Sequence, residues 1–292
     1  MGLIRKEDIH ESLLNSLSNP NLFINGDFRN PVNQREKSEY TSNQYCVDRW
    51  KKWTDKFTTS VQNGFLRNQG TWIVLLQYLE ESPKLFKKGT VFTISAKVKC
   101  EKTRSVKFSY YDHNSSQSIG ELCPEITVGT DWKVISHTVT VNVDIVHLNT
   151  AFCIEASWSD TDTATLDIEW MKLELGSVAT PFVPRLYTEE LALCKRYYQY
   201  GTYRGVGSLY TTRGYLYVPL NVNLRIQPTL GTKSVAGVIR TANGHADVKT
   251  ISSAGLCNNG IMLEYTHEIS SPVTNTPVFW DNGRLELDAE IY

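Results

Sequence analysis

The chain has 292 residues, of which 41% are hydrophobic and 21% are charged, so it is long enough for two domains and apolar enough to bury a core in each. Thirty Lys and Arg residues stand against thirty-one Asp and Glu residues, and a net charge of −1 gives no long-range field to collect nucleic acid or an anionic membrane surface. No segment of the sequence approaches the roughly 20 continuous apolar residues of a membrane span, which predicts no membrane insertion.

The first residues of the chain are predicted to form a helical stem, residues 1–19. Ile9, Leu13 and Leu17 recur at i, i+4 and i+8, and Ser18-Asn19-Pro20 ends the pattern. A helix this short is marginal alone in water, so its apolar stripe must pack on the body of the protein or on copies of itself. The same segment carries charges where a secretory signal has its apolar stretch, which predicts synthesis in the cytoplasm without export.

Residues 20–185 are predicted to form a jelly-roll β-sandwich. Apolar and polar residues alternate over 92–99, 106–111, 152–156 and 166–169, as in strands that are buried on one face. Polar turn clusters separate these segments, and no helical pattern lies between them. Many antiparallel strands with polar turns favour a sandwich, and the length of the strands favours a jelly roll over a small barrel.

Residues 186–200 are predicted to form a connector helix, because Thr188 can cap a first turn that holds two glutamates. Residues 201–292 return to strand patterns, and we expect a smaller C-terminal β-sandwich or head domain there. The closing run 285–292 alternates in the same way, which predicts a strand pinned into a sheet. The predicted fold class is therefore all-β, with two short helices.

The six cysteines have neither a CxxC pair nor zinc-type spacing, so we expect reduced thiols that serve mostly as small core residues. The sequence also lacks the GxSxG, GxxxxGK[ST], GxGxxG and HExxH motifs. Paired carboxylates occur, but charged strand faces and polar turns account for them. A glycosidase is recognised by the distance between two carboxylates in space, which the sequence does not give. We therefore expect a protein that is not an enzyme, with a glycan depolymerase as an alternative.

Aromatic side chains next to polar turns are the candidate ligand contacts, because a ring covers an apolar face while its neighbours supply hydrogen bonds. An ordinary core or turn aromatic residue is the alternative at each position. The candidates are Trp53, Tyr111, His113 and Trp158 in the first domain, and Trp280, Asp281 and Asn282 at a predicted loop tip in the second.

Three short segments have structural interpretations of their own. Asn25-Gly26-Asp27 is predicted to be a turn in which Gly26 relieves a φ that other residues resist. Asp48-Arg49-Trp50 is interpreted as a scaffold ion pair beside a core Trp. The segment 176–184 is predicted to be an extended exit from the sandwich.

Residues 21–28 with 33–35 and 45–50, then 172–185, then 189–198, resemble in that order phage and prophage tail-fibre or receptor-binding proteins. In such proteins a jelly roll similar to carbohydrate-binding modules precedes a C-terminal β domain. The resemblance implies a place in the virion tail, recognition of a bacterial cell-surface polysaccharide, contacts with other tail or baseplate proteins, and a homotrimer.

Jelly rolls of that kind often carry a structural calcium between the first and last strands. Here Arg29 stands where the family has Glu, and Glu169-Trp170 stands where it has paired Asp. Asp27 and Glu169 would be the calcium ligands, but a guanidinium at the site argues against a hard cation. We expect a contact between Arg29 and a carboxylate instead, and no cofactor.

Two other interpretations stay open. The chain would also suit a carbohydrate-binding module of a bacterial polysaccharide-degrading system, although no export signal or catalytic motif accompanies it. A structural spacer without a ligand is the second.

Overall fold

The computed structural model describes residues 18–112, 114, 117–157, 162–242, 244–269 and 272–291. The predicted stem helix lies outside the described residues except for Ser18 and Asn19. The chain divides into a first unit, Met1–Glu190 with Ile291–Tyr292, and a second unit, Leu191–Glu290. Within the described ranges, no helix has the length and apolar character that crossing a membrane requires.

The first unit is a β-sandwich of two antiparallel sheets, and its described residues include a short helix, α1 (Ser82–Leu85). Its strands are β1 (Glu39–Tyr40), β2 (Lys51–Lys52), β3 (Phe57–Gln62), β4 (Phe65–Gly70), β5 (Trp72–Tyr78), β6 (Val91–Cys100), β7 (Arg104–Asp112), β8 (Gln117–Ser118), β9 (Ile126–Val128), β10 (Lys133–Thr140), β11 (Thr150–Ser157) and β12 (Ala164–Leu175). Sheet A has the order β1-β3-β4-β12-β6-β10, and sheet B has the order β2-β5-β11-β7-β8, with β9 paired to β7. The predicted all-β class is confirmed.

The alternation in the sequence explains how the two sheets meet. In β6, Phe92 and Ile94 point into the core, whereas Lys97 and Lys99 lie on the outer face and are partly exposed. The ring of Phe152 from sheet B meets the ring of Phe92 edge to face, with 5.5 Å between centroids. Each such side chain contributes about 1.5–3 kcal/mol when it leaves water. On the outer face of sheet A, the partly exposed lysines of β6 remain available for other contacts.

The second unit is a single antiparallel sheet that closes on itself. Its strands are β13 (Tyr198–Leu209), β14 (Arg213–Pro219), β15 (Thr229–Leu230), β16 (Val238–Thr241), β17 (Gly244–Cys257), β18 (Gly260–His267) and β19 (Thr276–Asp288). The order is β13-β14-β18-β17-β16-β19, β13 also pairs with β19, and β15 pairs with the end of β19 at Leu287 and Asp288. A small sandwich is predicted from the pattern of strands; the pairings make it one continuous closed sheet, because β13 is long enough to pair on both sides.

Helix α2 (Tyr187–Cys194) is the predicted connector helix, and the boundary between the two units falls within it. The prediction extends it to residue 200, which is too far, because β13 already begins at Tyr198. Backbone pairing of Tyr198 with Asp288 competes with helix continuation there. Tyr197 and Tyr198 are therefore buried at the start of β13 and do not lie on the face of a helix.

The six cysteines, all within the described residues, form no disulfide, and Cys257 is the exposed one. Burial raises the pKa of the Cys46 and Cys153 thiols to about 12. A thiol that stays protonated is a weak nucleophile. These two residues are core residues, as predicted.

The turn predicted at Asn25-Gly26-Asp27 is present, but the role given to Gly26 is wrong. Asn25 has the positive φ of 60°. Gly26 is required by close approach, because a Cβ at this position would lie 2.5 Å from the carbonyl oxygen of Met171. The backbone N–H of Met171 donates to the Gly26 carbonyl over 2.8 Å, so the turn is held directly against β12.

The buried side chain of Asn25 connects this turn to the Asp48-Arg49-Trp50 segment. Its amide donates to the carbonyls of Val32 (2.9 Å) and Asp48 (2.8 Å), and its oxygen accepts from the N–H of Val32 (2.7 Å). The indole N–H of Trp50 donates to the Asn25 carbonyl over 2.7 Å. The carboxylate of Asp48 accepts from Arg35 over 3.0 Å. All three side chains of the 48–50 segment are buried, so the segment is scaffold.

The predicted exit segment crosses part of the outer face of sheet A and is held there by a buried ion pair. The ammonium of Lys172 lies 3.3 Å from the carboxylate of Glu174, and both side chains are buried. Lys172 also donates to the Thr180 hydroxyl (2.6 Å) and the Pro181 carbonyl (3.0 Å). Glu174 accepts from the backbone N–H of Thr180 over 2.9 Å. Burial lowers the pKa of Lys172.

Gly26→Ala is expected to lower the free energy of unfolding by about 1–3 kcal/mol, because the new methyl group forces β12 and the turn apart. Urea denaturation measures the change. Gly129→Ala is the control, since a Cβ there meets no atom within 4 Å. We expect the control to change stability by no more than about 0.5 kcal/mol. Equal losses in the two variants would contradict the close approach at Gly26.

Lys172→Met is expected to lower the free energy of unfolding by about 3–5 kcal/mol, because Glu174 is left as a buried charge without its cation. Lys84→Met is the matched control, since Lys84 pairs with Glu81 over 2.7 Å while both side chains are exposed. That pair is expected to contribute at most about 1 kcal/mol. A loss in Lys172→Met as small as the control's would show that the exit segment is not held by this pair.

Candidate ligand-binding surfaces

Two of the four candidates in the first domain come together in the structure. The rings of Trp53 and Tyr111 meet edge to face, with 6.3 Å between centroids, and both are partly buried. Burial raises the pKa of the Tyr111 hydroxyl. The other two candidates, His113 and Trp158, lie outside the described residues. Trp53 and Tyr111 thus support each other's position, and both stay partly exposed.

The location predicted for Trp280 is wrong. The residue lies inside β19 rather than at a loop tip, and it is 1% exposed. Its indole N–H donates to the carbonyl of Ala236 over 2.5 Å, and its ring belongs to the core of the second unit. Trp280 therefore cannot offer a ring face to a ligand.

The Asp281-Asn282 pair forms a β-bulge, which is why its sequence looks like a turn. Tyr203 of β13 pairs with Gly283, and Gly205 pairs with Trp280, so one residue of β13 opposes two of β19. Asn282 has a φ of 56°. Asn and Gly supply such conformations in bulges as readily as in turns, and a bulge changes the direction of neighbouring side chains.

A groove of about 470 Å³ lies at this bulge, on the outer surface of the second unit. Asp281, one of the candidate ligand contacts, lines it. Its carboxylate lies 3.6 Å from Arg204 and 3.7 Å from Arg240. The other lining residues include Val206, Tyr217 and Phe279. The sequence analysis did not select these residues, because they are far apart in the chain and pair only through the strand register.

The outer face of sheet A carries a second candidate surface, which the sequence analysis also missed. Phe65 lies in β4, and Trp132 lies in the turn before β10. Their ring centroids are 5.7 Å apart at an interplanar angle of 69°, and both rings are partly exposed. We name Phe65, Trp132 and the charged residues around them (Arg67, Lys97, Lys99, Asp167, Glu169) the sheet A platform.

Cations surround the two rings of the platform. The ammonium of Lys99 lies 4.9 Å from the Trp132 ring centroid and 5.5 Å from that of Phe65. The ammonium of Lys97 lies 5.8 Å from the Trp132 ring, and the guanidinium of Arg67 lies 5.5 Å from the Phe65 ring. These are cation–π distances, and they hold the rings in place.

Carboxylates in turn hold the cations of the platform. Arg67 donates two hydrogen bonds of 2.9 Å to Asp167, which also lies 3.9 Å from Lys99. Glu169 lies 2.8 Å from Lys97. Hydrogen bonding to Asp167 raises the pKa of Arg67. The platform is thus an ordered set of two rings, three cations and two carboxylates.

One signal for the platform exists in the sequence. The outward positions of β6 carry Lys97 and Lys99, and the outward positions of β4 carry Phe65 and Arg67, at the two-residue spacing of a sheet face. The alternation predicts that one face of each strand meets solvent, but it does not predict which strands lie next to each other in the sheet. Trp132 reaches this face from a turn, which only the fold reveals.

The two residues considered for a disfavoured calcium site, Asp27 and Glu169, have other partners. Both carboxylate oxygens of Asp27 accept hydrogen bonds from Arg29, over 2.7 and 3.0 Å, so the expected contact between Arg29 and a carboxylate is confirmed. Glu169 belongs to the platform. Of the described residues, no three among His, Cys, Asp and Glu are grouped closely enough to hold a metal ion. Arg29 also lies 5.6 Å from the ring of Phe182, which stacks on Trp170 at 4.8 Å.

No protein-family model matches the sequence, and no curated protein matches it. Similar solved structures include the N-terminal CBM22-1-CBM22-2 tandem domain of Paenibacillus barcinonensis Xyn10C, at 13% identity over 94% of this chain and 99% of that chain, with a TM-score of 0.36. The tripod from the baseplate of bacteriophage Tuc2009 matches at 16% identity over 90% of each chain, with a TM-score of 0.34. The N-terminal cellulose-binding domain of Cellulomonas fimi β-1,4-glucanase C matches at 11% identity over 49% of this chain and 97% of that chain, with a TM-score of 0.34. All three TM-scores lie below 0.5, so these likenesses assign neither a family nor a ligand to the chain.

Proposed function

We propose that this chain is a non-enzymatic receptor-binding protein of a phage or prophage tail, and that it recognises a bacterial cell-surface glycan through the sheet A platform. The observation that carries the glycan part is the pair of partly exposed rings, Trp132 and Phe65, fixed side by side on a sheet face. The assignment to a phage or prophage tail rests on the resemblance of the three sequence segments to tail-fibre and receptor-binding proteins.

The platform has the chemistry that a sugar ring requires. The C–H face of a pyranose is apolar and packs on an aromatic ring, while its hydroxyl groups need donors and acceptors at the rim. Trp132 and Phe65 supply the rings, and Arg67, Asp167 and Lys97 supply the polar groups beside them. Because these side chains are already paired with one another, binding orders few of them, which saves conformational entropy.

The proposal extends to assembly. Receptor-binding proteins of this kind are homotrimers that attach to other tail or baseplate proteins, and we propose the same for this chain. Three weak platforms acting together would gain affinity by avidity, without new contacts at any one of them. Light scattering of the full chain is expected to give a mass of about three times 33.2 kDa. A monomer at micromolar concentration would contradict the trimer and leave the platform untouched.

A carbohydrate-binding module of a polysaccharide-degrading system is the second candidate function. The same platform supports it, since aromatic sheet faces suit plant polysaccharides as well as bacterial ones. A glycan array with both classes separates the two functions: preference for bacterial cell-wall glycans supports the first, and preference for plant polysaccharides supports the second. New reducing ends released from either class would contradict the non-enzymatic part of the proposal.

Trp132→Ala is expected to reduce binding on that array at least tenfold, because a stacking ring at a binding surface contributes on the order of 1.4 kcal/mol or more. Trp72→Ala is the matched control, since Trp72 is also partly exposed and also has a lysine, Lys56, 5.8 Å from its ring. The control should bind as the wild type does. Unchanged binding by Trp132→Ala, or no glycan bound by the wild type, would overturn the role of the platform.

A further inference from the structure

The groove in the second unit is built on a row of outward-facing apolar residues. Val206 of β13 pairs with Tyr217 of β14 on one side and with Phe279 of β19 on the other. Phe279 is 64% exposed and Val206 is 50% exposed. Exposed apolar residues are common singly, but Val206 and Phe279, in register with each other and with the partly exposed Tyr217, form a continuous surface for a ligand.

The backbone shapes the groove around this row. Gly205 pairs with Trp280, and a Cβ at Gly205 would lie 2.9 Å from the carbonyl oxygen of Tyr217, so the strands approach closely there. The bulge at Asp281-Asn282 lies opposite Arg204 and adds one residue to β19. It brings the carboxylate of Asp281 to the end of the apolar row. Trp280, buried beneath, supports the groove.

Two arginines flank that carboxylate, and both remain open to solvent. The side chain of Arg204 is 87% exposed and that of Arg240 is 55% exposed. Their distances to Asp281, 3.6 and 3.7 Å, are those of loose ion pairs rather than hydrogen bonds. In the described part of the chain, Asp281 is the carboxylate within 4 Å of either guanidinium. Two cations and one anion leave a net positive charge at this end of the groove.

We infer that this groove binds an anionic saccharide, with its ring on Phe279 and its carboxylate or phosphate group on the solvent-exposed N–H groups of Arg204 and Arg240. A guanidinium presents paired N–H groups that match a planar carboxylate or a phosphate, and charge-assisted bonds of this type are stronger than neutral ones. The volume of about 470 Å³ falls in the range of small-ligand sites. The site lies in the second unit, uses other residues than the sheet A platform, and does not depend on it.

Calorimetric titration of the full chain tests the inference with three probes: digalacturonate for the carboxylate, galactose 6-phosphate for the phosphate, and lactose as the neutral sugar. One of the two anions is expected to bind at least tenfold more tightly than lactose, and the anion that binds identifies the group. Affinity should fall as salt concentration rises, because the arginines are exposed. The double variant Arg204→Ala/Arg240→Ala is expected to lose the anion at least tenfold, and Phe279→Ser should lose it as well.

Two control variants separate this site from other effects. Arg213→Ala, an exposed arginine 3.3 Å from Glu264 in the same unit, should bind the anion as the wild type does. Trp132→Ala should do so too, even where it loses its array signal, so failure of the platform and failure of the groove are distinguishable. Equal binding of lactose, no binding of either anion, or an unchanged double variant would overturn the inference. So would sedimentation data in which Phe279→Ser converts an oligomer to a monomer, since the groove would then be a contact between copies.

Discussion

The buried pair of Lys172 and Glu174 determines which part of sheet A meets the solvent. Along β6, the outward side chains of Thr93 and Ser95 are buried beneath the exit segment. Lys97 and Lys99, two and four residues further along the strand, are not buried. The Thr93 hydroxyl donates to the carbonyl of Gly176 over 2.8 Å, which ties the segment to the same strand. A single sheet face is therefore divided: one end is closed by the chain itself, and the other is left for the platform. The charge pair is expensive to bury, and it is retained where the fold needs a fixed path for the segment.

The regular parts of the fold could be predicted from sequence, because period-two alternation reflects burial on one face of a strand. The strands around residues 92–99 and 152–156 follow from it directly. The predictions failed where one residue type occurs in two kinds of local structure. Asn282 adopts a positive φ within a bulge, and the same residue type in the same conformation also builds turns, so Trp280 was placed at a loop tip instead of in a core. Asn25, not Gly26, takes the positive φ of the first turn, while Gly26 makes room for Met171.

The candidate surfaces were harder to predict than the strands, because each joins residues that are distant in the chain. Residues 65 and 132 meet only through the order of strands in sheet A, and residues 206 and 279 meet only through the register of β13 and β19. Composition pointed to aromatic residues beside polar turns; of these, Trp280 is packed in a core, whereas Trp53 is partly exposed beside Tyr111. A search for aromatic and cationic residues at alternate positions of one strand would have found Phe65 with Arg67.

The closed ring of the second unit has a consequence for how its surface could change over time. Each of the six ring strands is hydrogen-bonded on both sides, so the spacing between their outward side chains is fixed by backbone pairing and not by the side chains themselves. A substitution at such a position alters what the surface recognises without altering where the neighbouring groups stand. These residues could therefore be varied one at a time, and the scaffold would tolerate most of the variants.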